Sequence, residues 1–161
     1  MAYTAFVTDV YTRQTRGWNV ASSLKTELLP LPAFDHATWA ASTDLSGLIH
    51  HSNHEPNDLS LAYTTRLTEP GITPSIGTVG DNYDNALAET VNNAYKAELI
   101  RRRRPWKNVK EVELATLEWV YRYNNERLHE AFGYITPAEH EAAHQAASPT
   151  HENATSTVVN T

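Results

Sequence analysis

The chain is 161 residues long, 40% hydrophobic and 20% charged, with a net charge of −6. That length suits one domain with a real core, and the acidic balance excludes a surface built throughout for autonomous nucleic-acid binding. No apolar run nears the roughly 20 residues of a membrane span, the N-terminus does not resemble a secretory signal, and the lack of cysteine excludes disulfides and thiolate sites. The chain therefore reads as cytoplasmic.

Residues 3–10, YTAFVTDV, and 16–22, RGWNVAS, are rich in β-branched and aromatic types and predict two strands joined by a turn at YTRQTR. From Ser23 to Ala41 the pattern is helical, with an interruption at Pro30 and Pro32. GLIHH (47–51) predicts a short strand, 58–69 a helix stopped by Pro70-Gly71, and ITPSIG (72–77) an extended segment. A long helix follows, with Asp84 as its expected N-cap and Pro105 as its stop. A second spans Val109 to Glu126, with Val112, Leu114, Leu117, Val120 and Tyr121 spaced for one face. Beyond Ala142 large apolar residues almost vanish, which predicts a domain over 1–141 and a disordered tail over 142–161. Trp18, Trp39, Trp106 and Trp119 read as core or half-buried residues. The element order indicates an α/β protein with a mixed sheet.

Two stretches carry candidate chemistry. LIHHSNHEPND (48–58) runs a short strand into a loop of polar groups, and the helix after Asp84 places Asn85, Glu89, Asn93 and Lys96 on one face. By itself that face is most simply solvated. A zinc site from His50, His51 and His54 is disfavoured, because adjacent strand residues point to opposite faces.

Joined, the two stretches say more. HHSN, then 35 residues, then Glu89 in DNALAE resembles the second half of the DDE catalytic core of insertion-sequence transposases and retroviral-type integrases. YKAELI, YNNERLHEAFGYITPAE (123–139) and AFVTDVYTRQTRGWNV resemble further parts of that family in the same order, so the likeness covers about residues 3–141. It implies a ribonuclease H-like mixed sheet flanked by helices. It also implies DNA transposition or integration, in which two aspartates and a glutamate hold two Mg2+ or Mn2+ ions about 4 Å apart for attack on a phosphodiester. Glu89 falls on the metal-binding catalytic glutamate. Asn93 and Lys96 fall where the DNA backbone would pass, and Arg101 and Arg102, in the run at the helix end, would add phosphate contacts, although that run also answers a helix C-terminus.

Three departures matter. The second catalytic aspartate of the pattern falls on Asn53, an amide without the charge that gathers two divalent ions. The next glycine of the pattern falls on Glu55, and neither Glu55 nor Asp58 suits as a displaced ligand. The first catalytic aspartate belongs to a strand upstream of Tyr3, and Asp9, on the following strand, reads as a turn residue rather than a replacement. The first, central strand is thus expected to be missing, with the edges of its two neighbours left unpaired. The resemblance so qualified implies a catalytically inactive transposase core. The alternatives are an enzyme with substitute ligands, and a non-enzymatic inhibitor or assembly partner of an intact transposase. Expected partners are DNA, bound weakly and non-specifically, and a second copy or a full-length relative.

Overall fold

A computed structural model describes residues 2–23, 25, 28–41, 45–52, 65–66, 68–75, 81–103, 105–147 and 155–160. Strands β1 (Tyr3–Asp9) and β2 (Thr15–Ala21) form the expected antiparallel hairpin, with Phe6 opposite Trp18. The turn has no Asn-Gly pair. Instead the Asp9 carboxylate accepts from the backbone N–H groups of Tyr11 (2.9 Å) and Thr12 (3.3 Å), and the Asp9 N–H donates to the Gln14 carbonyl (2.9 Å). Arg13 takes a left-handed φ of 60° to complete it.

Helix α1 (Pro30–Ala40) is shorter than the pattern predicts. Leu28 and Leu29 donate to the Lys25 carbonyl in a turn, and the helix proper opens on Pro30, so the prolines begin it instead of interrupting it. A proline at the first helical position lacks only a donor that would have no partner there. Gly17 lets this helix lie against β2, since a Cβ on it would come within 2.6 Å of the Ala37 backbone nitrogen.

Strands β3 (Ile49–Ser52) and β4 (Thr73–Ser75) pair in parallel. Helix α2 (Asp81–Tyr95) starts one turn earlier than expected, so Asp84 lies inside it and does not cap it. It runs into a π-helical turn, Lys96–Ile100, before Pro105. Helix α3 (Val109–Asn125) is capped by Asn108, whose side chain accepts from the Glu111 N–H at 2.9 Å. After a 3-10 turn at Glu130–Phe132 comes α4 (Pro137–Ala147). Residues 53–64, which hold most of the helix expected at 58–69, lie outside the described residues.

The tail expected to be disordered carries structure. Residues 142–147 complete α4, and Thr155–Asn160 form a strand, β5. Alanine, glutamine and histidine continue a helix without large apolar groups. Thr-Ser-Thr-Val-Val-Asn is uncharged and mostly β-branched, which suits a strand although its hydropathy is low. The sheet order is β2-β1-β5-β3-β4, with β5 antiparallel to β1 and parallel to β3. Strands β1 and β3 therefore face each other across β5 and both bond to it.

The core lies on both sides of this mixed sheet. Phe6 packs in one cluster with Leu87, Val91 and Tyr95 of α2, Leu99 of the π-helical turn, and Trp119 and Tyr123 of α3, whereas its neighbours Ala5 and Val7 point the other way, to Leu29, Ala33, Phe34 and Ile72. This is the two-residue alternation of a strand buried on both faces. The buried stripe of α3 is Val112, Ala115, Thr116, Trp119, Val120 and Tyr123. Leu114, Leu117 and Tyr121, expected on that face, are 70%, 55% and 61% exposed. Small Ala115 and Thr116 let the helix approach closely, and Thr116 accepts or donates in a 2.7 Å bond with the Tyr95 hydroxyl, which also meets Thr4 at 3.1 Å. Of the tryptophans, Trp119 is core, Trp18 and Trp106 are half-buried, and Trp39 is 91% exposed, against expectation.

Candidate catalytic face

Strand β3 delivers the chain to position 53. Its His50 is fully buried and meets the Phe34 ring edge-on at 5.4 Å, so it serves packing under the sheet's end. Asn53 itself lies outside the described residues. Because β5 is parallel to β3, with Ser52 beside Val158, the Asn160 end of β5 lies at the end of the sheet from which Asn53 follows. Ala5 of β1 stands opposite Asn160 there.

Asp9 is at the far end. It pairs with Ser156, which stands beside His50. Four residues of strand, about 14 Å, separate it from the Ala5 position. Its carboxylate is engaged by the two turn N–H groups and by Arg16 at 3.4 Å. Asp9 is a turn residue and does not reach the end of the sheet that precedes Asn53.

On α2, Leu87, Ala88, Val91 and Tyr95 turn to the core, and Glu89, Asn93 and Lys96 stand exposed together on the opposite face. Arg101 and Arg102 follow the π-helical turn, exposed and without an ion pair among the described residues, while Arg103 reaches Glu118 at 3.6 Å. Arg102 and Arg103 border an open groove of about 430 Å³ shared with Arg122 and Arg127 and with Glu98 and Glu126. Two of its arginines are paired, Arg127 with Glu98 of the groove at 2.9 Å and Arg122 with Glu118 beside it at 3.0 Å. Among the described residues no group of three or more His, Asp or Glu side chains could hold a metal ion.

The stretch 123–139 is architectural. Asn124 is buried, and its amide clamps Thr15 of β2, accepting from its N–H at 2.8 Å and donating to its carbonyl at 2.9 Å. Arg127 lies over the Tyr123 ring at 5.5 Å while its guanidinium holds Glu98, whose other oxygen accepts from the Trp119 indole at 3.0 Å. His129 meets the Tyr123 ring edge-on at 5.0 Å. Burial, then the charges of Arg127 and Arg13, hold its imidazole pKa below the usual 6.5. Gly133, at a left-handed φ of 75°, turns the chain, and Thr136 and Glu139 cap α4 reciprocally at 2.8 and 3.2 Å. Sequence reasoning read these residues only as marks of resemblance. The Thr-x-x-Glu spacing was the one local signal of structure among them.

Comparison with known proteins supports the resemblance. Residues 70–137 match the integrase core domain. The chain is 46% identical, over 90% of its length, to the "Putative transposase for insertion sequence element IS986/IS6110" of Mycobacterium tuberculosis, covering 53% of that protein. It is 49% identical, over 89% of its length, to the transposase for insertion sequence element IS629 of Shigella sonnei, covering 47% of it. A Lactococcus lactis transposase for IS904 is 27% identical over 86% of the chain, which covers 54% of that relative. The chain spans about half the length of the curated relatives it matches. No solved structure matches it. Residues 70–137 thus match an integrase core domain, and over nine-tenths of its length the chain is similar to insertion-sequence transposases.

Proposed function

We propose that this chain is a transposase catalytic core that does not transfer phosphodiesters. The donor set carries the reading: position 53, where the resemblance expects the second aspartate, is an amide. We read the sheet as ribonuclease H-like, with β5 lying between β1 and β3. The strand found between them brings threonine, serine, valine and asparagine but no carboxylate. Two divalent ions about 4 Å apart need several carboxylates to offset their charge. Of the two ligand positions that the resemblance places in this chain, 53 and 89, only Glu89 is acidic, and it stands exposed. The residues do not fit a Mg2+ or Mn2+ pair.

DNA remains the natural partner, through Asn93, Lys96, Arg101 and Arg102 along one exposed helical edge. Against a net charge of −6, that contact is weak and non-specific. The test is Mn2+-dependent nicking of supercoiled plasmid by Asn53→Asp. The single substitution leaves the plasmid intact, because Glu89 and one restored carboxylate do not offset the charge of two divalent ions. Nicking restored in that variant overturns the proposal.

A second reading has its own observation. Leu114, Leu117 and Tyr121 make an exposed apolar face on α3, suited to pairing with a second copy or with a full-length transposase whose assembly it would poison. In that case the chain co-purifies with such a relative and lowers its transposition, and the double change Leu114→Glu and Leu117→Glu abolishes both effects. An unchanged transposition frequency removes this reading.

A further inference from the structure

The centre of the sheet is filled by residues 155–160, far in sequence from both neighbours. The pairing is extensive on each side. Ala5 to Asp9 oppose Asn160 to Ser156, and Ile49 to Ser52 oppose Thr155 to Val158. Strand β1 is built to be interior: Thr4 to Asp9 are all buried, with side chains in the core on both faces of the sheet. An interior strand needs hydrogen-bonding partners along both edges, and β2 serves only one. The other edge of β1 and the facing edge of β3 thus define a slot one strand wide. The segment in it has no charge and no proline and is β-branched at Thr155, Thr157, Val158 and Val159, which suits a strand bonded on both sides.

We propose that residues 155–160 are a stand-in strand. They complete the sheet in cis, and the slot between β1 and β3 is a strand-acceptor site. Its ligand is an uncharged, β-branched extended segment of six residues, running antiparallel to β1 and parallel to β3. The pairing itself does not depend on the inactivity reading. The inference deepens that reading: the occupant supplies backbone hydrogen bonds but no acid.

Hydrogen exchange of the full chain, followed by mass spectrometry, tests this. Amides of 155–160 are expected to exchange about 100-fold or more slowly than in a free chain, together with those of 5–9 and 49–52. Val158→Pro removes one donor and fixes φ, and is expected to strip protection from 155–160 and from both facing segments. Where that variant fails to fold, an excess of synthetic peptide spanning residues 152–161 is expected to restore protection at 5–9 and 49–52. Three results overturn the proposal: free-chain exchange of 155–160 in the wild type, unchanged protection of 5–9 and 49–52 in Val158→Pro, and no rescue of an unfolded variant by the peptide. None of these readouts involves metal or DNA cleavage, so their failure would leave the inactivity reading standing, and a nicking result would leave this one standing.

Discussion

Asn124→Ala tests whether the family-like stretch at 123–139 is a structural clamp. The Asn124 amide supplies both partners of the Thr15 backbone, at 2.8 and 2.9 Å, and both residues are buried. Alanine removes two hydrogen bonds and leaves a buried N–H and a buried carbonyl without partners. Each orphaned group costs about 1–3 kcal/mol, so about 3 kcal/mol is expected after partial rehydration. For a chain of this size 1 kcal/mol moves the midpoint by roughly 2–4 °C, which places the variant about 6–12 °C below the wild type. Asn124→Asp separates the two bonds. At neutral pH its carboxylate still accepts from the Thr15 N–H but cannot donate to the carbonyl, so it should lose at least as much as alanine. Near-ultraviolet circular dichroism melts measure both. Midpoints within about 2 °C of wild type would refute the clamp.

Gly17→Ala forces a Cβ to within 2.6 Å of the Ala37 backbone nitrogen, so α1 must move off β2. Overpacking of this kind costs about 1–3 kcal/mol, readable as a lower urea midpoint at unchanged slope; an unaltered midpoint would mean the two elements are not in contact. His129 carries a pH prediction. Its folded pKa lies below 6.5, with burial the first cause, so the unfolded chain binds the proton more readily. The stability it contributes is present above about pH 6.5 and is lost as pH falls through the depressed folded value. The melting midpoint should therefore drop between pH 7.5 and 5.5, and His129→Gln should flatten that slope; an identical slope in the variant assigns the effect elsewhere. At the alkaline end, burial raises the pKa of Tyr95 and Tyr123 above the ordinary 10.0. Their contribution is present below pH 10 and is lost as pH rises toward their folded values, so Tyr95→Phe should soften the fall of the midpoint above pH 10.

Local patterns made much of the fold legible. The β-branched runs at 3–10 and 16–22 gave the hairpin, and α3 begins and ends within a residue of its expected bounds. The buried face of α3 was misread, because Leu114, Leu117 and Tyr121 outweigh Ala115 and Thr116 in hydropathy while small side chains decide how closely helices pack. Strand β5 was hidden for a related reason. A short polar, β-branched segment becomes a strand only when two edges wait for it, and those edges are more than a hundred residues away in sequence. Of the candidate site, the helical face of Glu89, Asn93 and Lys96 followed from spacing alone, and Asp9 was read as a turn residue before its turn was seen. The roles of Asn124, Arg127 and His129 were not legible, since each depends on a partner from another element.

The account stands on a metal site that lacks its acids, and a thermal melt with and without excess Mn2+ tests that most directly. A ligand that binds only the folded state raises the midpoint, by an amount set by its concentration over its dissociation constant. The account predicts a cooperative melt whose midpoint Mn2+ does not move, in the wild type and in Glu89→Ala alike. An upward shift in the wild type that disappears in Glu89→Ala would contradict it.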